Sequence, residues 1–307
     1  MYRSITTAAL FVAVALAGTA NAQHTLLLRD EGKSTLSLVD LKSPGKGWQV
    51  VVPPGRDLQL IGRGRVLLGT ADGFEERMIE TGKKVRETTA WQGTITARRL
   101  SNGNTMLLIL HWQGKQGIVL IELNEQSEII AAINYPGFSY ARLLRETAAG
   151  TFLVTADKEI IEGDRTGKIL WRASIVGHDS PHAWQAVRSA NGETIVSSGY
   201  PSDLQIFSRE GTLLRTIGGP PEVNPHFFCG FQVLSNGNVV VANWQGHGPS
   251  FGTVGTQLLE YNPKGELVWS WKQDAAKFSS LQGVIVLDGL DLTKLHIEGG
   301  DGALSPR

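Results

Sequence analysis

Short runs of alternating apolar and polar residues recur along the chain, and turns that contain glycine separate them. Residues 97–108 place Asn102-Gly103 between two such runs, and residues 186–196 and 233–241 repeat this unit. Alternation with a period of two is typical of half-buried β-strands. Each unit therefore predicts two antiparallel strands, A and B, joined by a two-residue Asn-Gly hairpin turn with positive φ angles.

A second kind of turn follows each pair of strands and predicts two further strands, C and D. Examples are Asp164–Lys168, Arg209–Thr212 and Asn262–Glu266. The strand after the turn often ends in tryptophan, as at Trp171 and Trp271. Each unit then has four strands and a period of about 40–50 residues, which is the length of a β-propeller blade.

The number of blades follows from strand A, which carries one polar residue between mostly apolar neighbours. Six such residues align: Gln59, Thr96, Arg142, Gln185, Gln232 and Gln282. The runs near the N-terminus, at 25–28, 35–41 and 48–52, predict strands B, C and D without an A strand, and the last A strand has no partners after it. We therefore expect an all-β, six-bladed propeller of four-stranded antiparallel blades, with the last blade closed by N- and C-terminal strands.

The first 22 residues have the pattern of a secretory signal. Arg3 precedes an apolar run over residues 8–17, and Ala20-Asn21-Ala22 forms an A-x-A cleavage site. A short buried helix is the alternative, and the run is about half the ~20 residues of a membrane-spanning helix. We expect a signal peptide at 1–22, a single propeller domain at 23–291, a C-terminal tail at 292–307, and a periplasmic or secreted protein without a membrane span.

Charge and cysteine content narrow the classes of partner. The chain has 29 Lys and Arg against 29 Asp and Glu, mixed along its length, so nucleic acid is not an expected partner. Its single cysteine, Cys229, cannot form an intramolecular disulfide, so the fold must depend on its core. Binding to a partner protein is compatible with this composition.

The Asn-Gly-Asn hairpins, the D-x-x-G-K turn at Asp164–Lys168 and the strands that end in tryptophan resemble quinoprotein-type (pyrroloquinoline-quinone-like) propeller repeats. They are also similar to the repeats of arylsulfotransferase-like propellers. The resemblance spans most of the chain after residue 22 and implies the propeller fold. Quinone-dependent dehydrogenases of this group have eight larger blades and adjacent cysteines. This chain has six units and one cysteine, so we expect no quinone. Arylsulfotransferases use a channel histidine as nucleophile, and the resemblance implies that role for a histidine at the end of the channel here.

Candidate chemistry lies in the long loops. In a propeller the A–B and C–D turns lie on one face, and the D–A and B–C loops lie on the other. Five of the seven histidines fall in the long D–A and B–C loops, where sites on rigid scaffolds usually form. With the A-strand ring, these loops give the predicted ligand-binding residues: Gln59, Thr96, His111, Trp112, Arg142, His178, Trp184, Gln185, Gln232, Trp244, His247 and Gln282.

Tryptophan faces, histidines and one arginine suit a small polar ligand, and a sugar acid or other carbohydrate-like molecule is the first expectation. The alternatives are loop packing and a water-filled channel without a ligand. A further alternative is an enzyme, with His182 or His226 as base or nucleophile and Arg142 stabilising negative charge. It would be a metal-assisted polysaccharide lyase or hydrolase, or a histidine-dependent sulfuryl transferase. His178, Asp179 and His182 are candidate ligands for a divalent metal. No other cofactor is predicted.

Overall fold

The computed structural model describes residues 24–307, and the predicted signal peptide lies outside them. Within this range no helix is long and apolar enough to cross a membrane. Two single-turn 3₁₀ helices occur, at Pro44–Lys46 and Pro221–Val223. The remaining elements are strands, which in chain order are β1 Thr25–Asp30, β2 Thr35–Asp40, β3 Trp48–Val51, β4 Gln59–Gly62, β5 Arg65–Thr70, β6 Gly73–Met78, β7 Lys84–Thr88, β8 Thr94–Arg99, β9 Thr105–Leu110, β10 Ile118–Leu123, β11 Ile129–Tyr135, β12 Leu144–Glu146, β13 Phe152–Ala156, β14 Glu159–Gly163, β15 Ile169–Ser174, β16 Gln185–Arg188, β17 Thr194–Ser197, β18 Asp203–Phe207, β19 Leu213–Gly218, β20 Phe227–Val233, β21 Val239–Trp244, β22 Leu258–Tyr261, β23 Leu267–Trp271, β24 Leu281–Val286, β25 His296–Glu298 and β26 Leu304–Pro306.

These strands form six antiparallel four-stranded blades, as the repeat predicts. Blade 1 has the order β24-β1-β2-β3, and blades 2 to 6 are β4–β7, β8–β11, β12–β15, β16–β19 and β20–β23. In blade 1 the C-terminal strand β24 pairs with the N-terminal strand β1, with Leu27 opposite Ile285. The predicted closure by both ends is therefore confirmed. The D–A and B–C loops lie together on one side of the ring, which we call the loop face, and the short turns lie on the other, the turn face.

The Asn-Gly turns differ from the predicted two-residue hairpins. Leu100 N–H donates to Asn104 O, and Gly103 N–H donates back to Leu100 O, so the loop has three residues. Only the glycine takes a positive φ, 87° at Gly103, while Asn102 Oδ1 accepts the N–H of Asn104. The other two Asn-Gly turns repeat this pattern. Asparagine therefore acts here through its side-chain hydrogen bond, and glycine supplies the left-handed residue of a three-residue hairpin.

Residues 292–307, predicted to be a polar tail, form a hairpin of β25 and β26 that covers the channel on the turn face. Leu295 bridges to Ile61 in β4 of blade 2, and Ala303 bridges to Val233 in β20 of blade 6, so the hairpin spans the two blades that flank blade 1. Several apolar side chains of this segment are buried, among them Ile297 and Ala303. This polar, glycine-containing stretch gave no strand signal, because each of its two strands has only three residues and shows too little alternation.

The hairpin also places a carboxylate inside the channel. Glu298 lies 2.7 Å from Nε of Arg145 and 3.0 Å from Nη2 of Arg98. Arg145 also donates from Nη1 to Asp57 at 2.7 Å. All four side chains are less than 10% exposed. Burial works to raise the pKa of Asp57, but the Arg145 and Arg98 cations together hold it below its ordinary value. Two acids and two bases thus neutralise one another within the channel.

A smaller network anchors the start of β1. Nε2 of His24 lies 3.0 Å from Oε2 of Glu260 in β22, and its Nδ1 lies 3.2 Å from Oδ2 of Asp288 after β24, so the protonated ring donates to both carboxylates. The hydrogen bond with Glu260 is the main reason that the pKa of His24 is raised, despite the opposing effect of burial. Protonated His24 therefore links blade 1 to blade 6 near the point where the ring closes.

Replacing Glu298 by glutamine is expected to lower the free energy of unfolding by about 3 kcal/mol, because it leaves Arg98 and Arg145 with one carboxylate in a buried place. Chemical denaturation measures this loss. Glu210→Gln, an exposed change on a C–D turn, is the control and should alter stability by less than about 0.5 kcal/mol. Equal effects of the two changes would contradict a structural role for the buried charges.

His24→Gln removes the charge and keeps hydrogen-bonding capacity. Because the folded-state pKa of His24 lies above its ordinary value of 6.5, its contribution is present at about pH 6 and is lost as pH rises through the folded pKa. The variant should therefore be less stable than the natural protein at about pH 6, by on the order of 1 kcal/mol, and the gap should close at about pH 9. Denaturation at both pH values measures the gap, and a constant gap would refute the assignment.

Candidate functional site

A cavity of about 400 Å³ opens at the centre of the loop face. This volume lies within the range of about 300–1,000 Å³ that is usual for ligand pockets. Its walls come from four loop regions and the end of one strand: Glu31 in blade 1, Arg56 between blades 1 and 2, Arg142 between blades 3 and 4, Trp184 before β16, and Trp244 at the end of β21. The ring closure brings these distant segments together.

Two arginines, Arg56 and Arg142, stand over the same aromatic ring. The guanidinium carbon of Arg142 lies 4.8 Å from the centre of the Trp184 ring and 4.7 Å from that of Tyr140, and the carbon of Arg56 lies 5.7 Å from Trp184. Within residues 24–307 neither guanidinium makes an ion pair, and Nε of Arg142 is buried without a hydrogen-bond partner. Burial and then the neighbouring Arg142 cation lower the pKa of Arg56.

A third arginine beneath the cavity behaves differently. Arg29 is buried, and its guanidinium donates to the backbone oxygens of Asp57, Gly69 and Pro53 at 2.9 to 3.1 Å. Burial lowers the pKa of Arg29 to about 10. The donors of Arg29 serve to join blades 1 and 2, so the arginines free to meet a ligand are Arg56 and Arg142.

One carboxylate, that of Glu31, lines the same cavity. Oε1 of Glu31 lies 2.9 Å from Nδ1 of His247, and Oε2 accepts a hydrogen bond from Nε1 of Trp244 at 3.2 Å. Trp244 is itself buried against Phe227, with ring centres 5.4 Å apart. The carboxylate is therefore held in position at the edge of an aromatic wall.

Three of the other loop histidines gather around Tyr200, which also lines the cavity. His178 stacks on this ring at 5.7 Å, His182 packs against its edge at 5.5 Å, and His226 meets it at 6.0 Å. His226 also stacks on Trp244 at an interplanar angle of 18°. We call His178, His182, His226 and His247 the histidine rim.

Two of the rim residues have features that suit proton transfer. Partial burial lowers the pKa of His226, which favours the neutral imidazole at neutral pH. Nδ1 of His182 lies 2.7 Å from Oδ1 of Asp157, although the angle departs from that of a hydrogen bond. The two candidate catalytic residues are thus at the rim of the cavity rather than among its lining residues.

The predicted metal ligands His178, Asp179 and His182 do not converge. Between residues 24 and 307 no group of three or more His, Cys, Asp or Glu side chains is arranged to hold a metal ion. Nδ1 of His178 instead accepts the N–H of Ser180, and its ring packs on Tyr200. Spacing in sequence suggested this set, but aromatic packing turns the rings apart.

The predicted polar ring divides into two levels. Gln59, Gln185 and Gln232 line the channel interior, where the free volume is only about 30 Å³, enough for one or two water molecules. The amide of Gln185 donates to Phe231 O at 2.8 Å and joins two neighbouring A strands. Gln59 and Gln232 make equivalent links, to Arg99 and Val286.

Of the other ring members, Thr96 is buried and donates to Asp57 at 3.3 Å. Arg142 and Gln282 line the cavity, and Gln282 also reaches the channel. His111 and Trp112 lie on the B–C loop of blade 3, away from the cavity lining. His111 is exposed, and its Nδ1 accepts the N–H of Gly117, while Trp112 packs on the core between blades.

Sequence reasoning missed Arg56, Glu31, Tyr140 and Tyr200. A signal for all four exists, because each lies in a D–A or B–C loop and so on the loop face. The sequence prediction selected histidine and tryptophan in these loops and did not consider their charged residues or tyrosines. The pairing of Glu298 with Arg98 and Arg145 had no sequence signal, since it depends on where the C-terminal hairpin packs.

Comparisons with known proteins identify the fold. No protein-family model and no curated protein matches this chain. Among solved structures, a protein of unknown function from Bacteroides caccae is 19% identical, with a TM-score of 0.68 over 86% of this chain and 98% of that one. Virginiamycin B lyase from Staphylococcus aureus is 12% identical, with a TM-score of 0.54 over 86% and 89% of the two chains. A calcium-binding regucalcin from Agrobacterium tumefaciens is 14% identical, with a TM-score of 0.51 over 68% and 75%.

At these identities the likeness shows that the fold is shared, and it says nothing about activity. The neighbours are β-propellers, which agrees with the six blades of this chain. They do not confirm the resemblance to quinoprotein or arylsulfotransferase-like propellers that the hairpin and turn motifs suggested.

Proposed function

We propose that this chain binds a small organic anion in the loop-face cavity. The observation that carries the proposal is the pair Arg56 and Arg142, which line the cavity without an acidic partner between residues 24 and 307. Guanidinium groups bind carboxylate, sulfate and phosphate through two parallel hydrogen bonds. An anion from outside would supply the partner that residues 24–307 do not provide.

The aromatic residues of the cavity support a ligand with a ring or other apolar body. Tyr200 and Trp244 form a wall beside the arginines, and such residues pack against flat faces. A sugar acid fits these features and is the preferred ligand among carbohydrates. An aromatic carboxylate fits them equally well. If the predicted signal peptide functions, the ligand is met in the periplasm or outside the cell.

The proposal predicts that charge on the ligand decides binding. Calorimetric titration should detect 3-phenylpropanoate and glucuronate more strongly than their neutral analogues, 3-phenylpropan-1-ol and glucose. For whichever anion binds, Arg142→Met should raise the dissociation constant by at least about tenfold, since one charged hydrogen-bonding group is lost. The thermal stability of the Arg142→Met variant should not fall, because the substitution breaks no internal ion pair.

The matched control is Arg63→Met, which changes an exposed arginine on the turn face and should leave binding unchanged. Equal binding of anions and their neutral analogues, or an Arg142→Met variant that binds anions normally, would refute the proposal. Preference for glucuronate over 3-phenylpropanoate would favour the sugar-acid class.

A catalytic function is the second candidate, and His226 is the observation that favours it. Its imidazole is biased to the neutral form and stacks on Trp244 beside the cavity. A neutral imidazole can accept a proton or attack as a nucleophile, and Arg142 would stabilise negative charge on the substrate. Lyase, hydrolase and sulfuryl transferase chemistry would all use such a base or nucleophile.

For an enzyme, we expect release of 4-nitrophenol from 4-nitrophenyl glucuronide in water, or from 4-nitrophenyl sulfate with a phenol as acceptor. Absorbance measures the release. His226→Ala should then lower the turnover rate by at least about a hundredfold. His178→Ala, which changes an exposed histidine of the rim, should leave the rate unchanged. Failure of the natural protein to release 4-nitrophenol removes these two reactions, and normal turnover in His226→Ala removes His226 from the mechanism.

A further inference from the structure

We infer that the ligand of the loop-face cavity is a zwitterion, with an ammonium group as well as an acid group, of the amino-acid or short-peptide class. The inference rests on the proposed anion binding and adds a second contact to it. Its basis is Glu31, a carboxylate that lines the same cavity as the two arginines.

Glu31 is held so that it retains capacity for a further donor. Nδ1 of His247 and Nε1 of Trp244 each occupy one of its oxygens. A carboxylate has about four lone-pair sites, so two partners leave room for a ligand N–H. Its side chain is 31% exposed and faces the cavity that it lines. The two protein contacts therefore orient the group without using up its acceptors.

Charge separation is the main argument. Glu31 lines the same cavity as Arg56 and Arg142, yet among residues 24–307 it comes within 4.0 Å of neither guanidinium. The cavity thus holds two guanidinium groups and a carboxylate that form no direct ion pair with one another, and Glu31 acts on Arg56 only through space. A simple anion at the arginines would still feel the like charge of Glu31. A zwitterion offers an acid group to the guanidinium groups and an ammonium group to Glu31.

The aromatic wall favours the same class of ligand. Trp244, Tyr200 and Phe227 line the cavity together and pack edge to face, with ring centres of 4.7 Å for Tyr200 and Phe227. Aromatic rings attract ammonium groups by cation–π contact and also pack against apolar side chains. A volume of about 400 Å³ is near the low end for ligand pockets, which suits a single amino acid or a dipeptide with an apolar side chain.

The test uses two ligands with one skeleton. L-Phenylalanine differs from 3-phenylpropanoate by its α-ammonium group, and 3-phenylpropanoate represents the simple anion. Calorimetric titration of the natural protein should show L-phenylalanine, or a dipeptide that contains it, binding at least about tenfold more tightly, which corresponds to one added charge contact. Because the protein is unchanged, this comparison does not depend on the folding of a variant.

Glu31→Gln should then remove the preference. It should weaken zwitterion binding by about tenfold and leave 3-phenylpropanoate binding unchanged or stronger, since a like charge is gone. Glu31→Asp keeps the charge and should keep the preference. Glu210→Gln on the turn face is the control and should behave as the natural protein does.

The outcomes separate this inference from the proposal beneath it. If 3-phenylpropanoate binds as tightly as the zwitterions and depends on Arg142, anion binding stands and the zwitterion is refuted. If neither the zwitterions nor the anions bind, or if binding ignores Arg142, both are refuted. A preference for zwitterions that survives Glu31→Gln refutes Glu31 as the ammonium partner.

Discussion

Closure of the ring by the pairing of β1 with β24 is the interaction on which the site depends. Asp30, at the end of β1, accepts the N–H groups of Ser279 and Ser280 just before β24 and secures this seam. A closed ring directs the start of every A strand toward one axis. Glu31 and Trp244, which are 213 residues apart, can therefore share a hydrogen bond. Opening of the seam would separate the walls of the cavity without breaking any single blade.

The contents of the channel make the cavity a pocket with one opening. Below the mouth, glutamine side chains join neighbouring A strands, and four charged groups fill the interior, so only about 30 Å³ remains free. The C-terminal hairpin covers the turn face. A ligand at the mouth consequently enters and leaves by the loop face, and its contacts are limited to the D–A and B–C loops and the ends of the adjoining strands. The aligned polar residues thus have two roles: some join neighbouring A strands in the channel, and others line the cavity at its mouth.

How far the sequence predicts this molecule depends on how local each signal is. Alternation and glycine turns are local, and they gave the blades, their number and the closure. The alignment of strand A gave Arg142 and Trp184, the B–C loop gave Trp244, and all three line the cavity. Whether the Gln185 amide would face a ligand or the backbone of β20 was not predictable, since that choice depends on the spacing between two blades. The position of Glu298 in the channel is equally non-local, as it depends on the packing of the last hairpin.

Comparison among the arginines of the chain gives the argument for a ligand its strength. Buried guanidinium groups elsewhere are paired: Arg98 and Arg145 with carboxylates, and Arg29 with three backbone oxygens. Such pairing is expected, because a desolvated cation without a partner is costly. Arg56 and Arg142 are half-buried and have no such partner among residues 24–307. Both stack on Trp184, and the Arg142 cation adds to the effect of burial in lowering the pKa of Arg56. Loop packing alone would favour apolar residues at these positions, whereas an anionic ligand would turn the same unfavourable arrangement into binding energy.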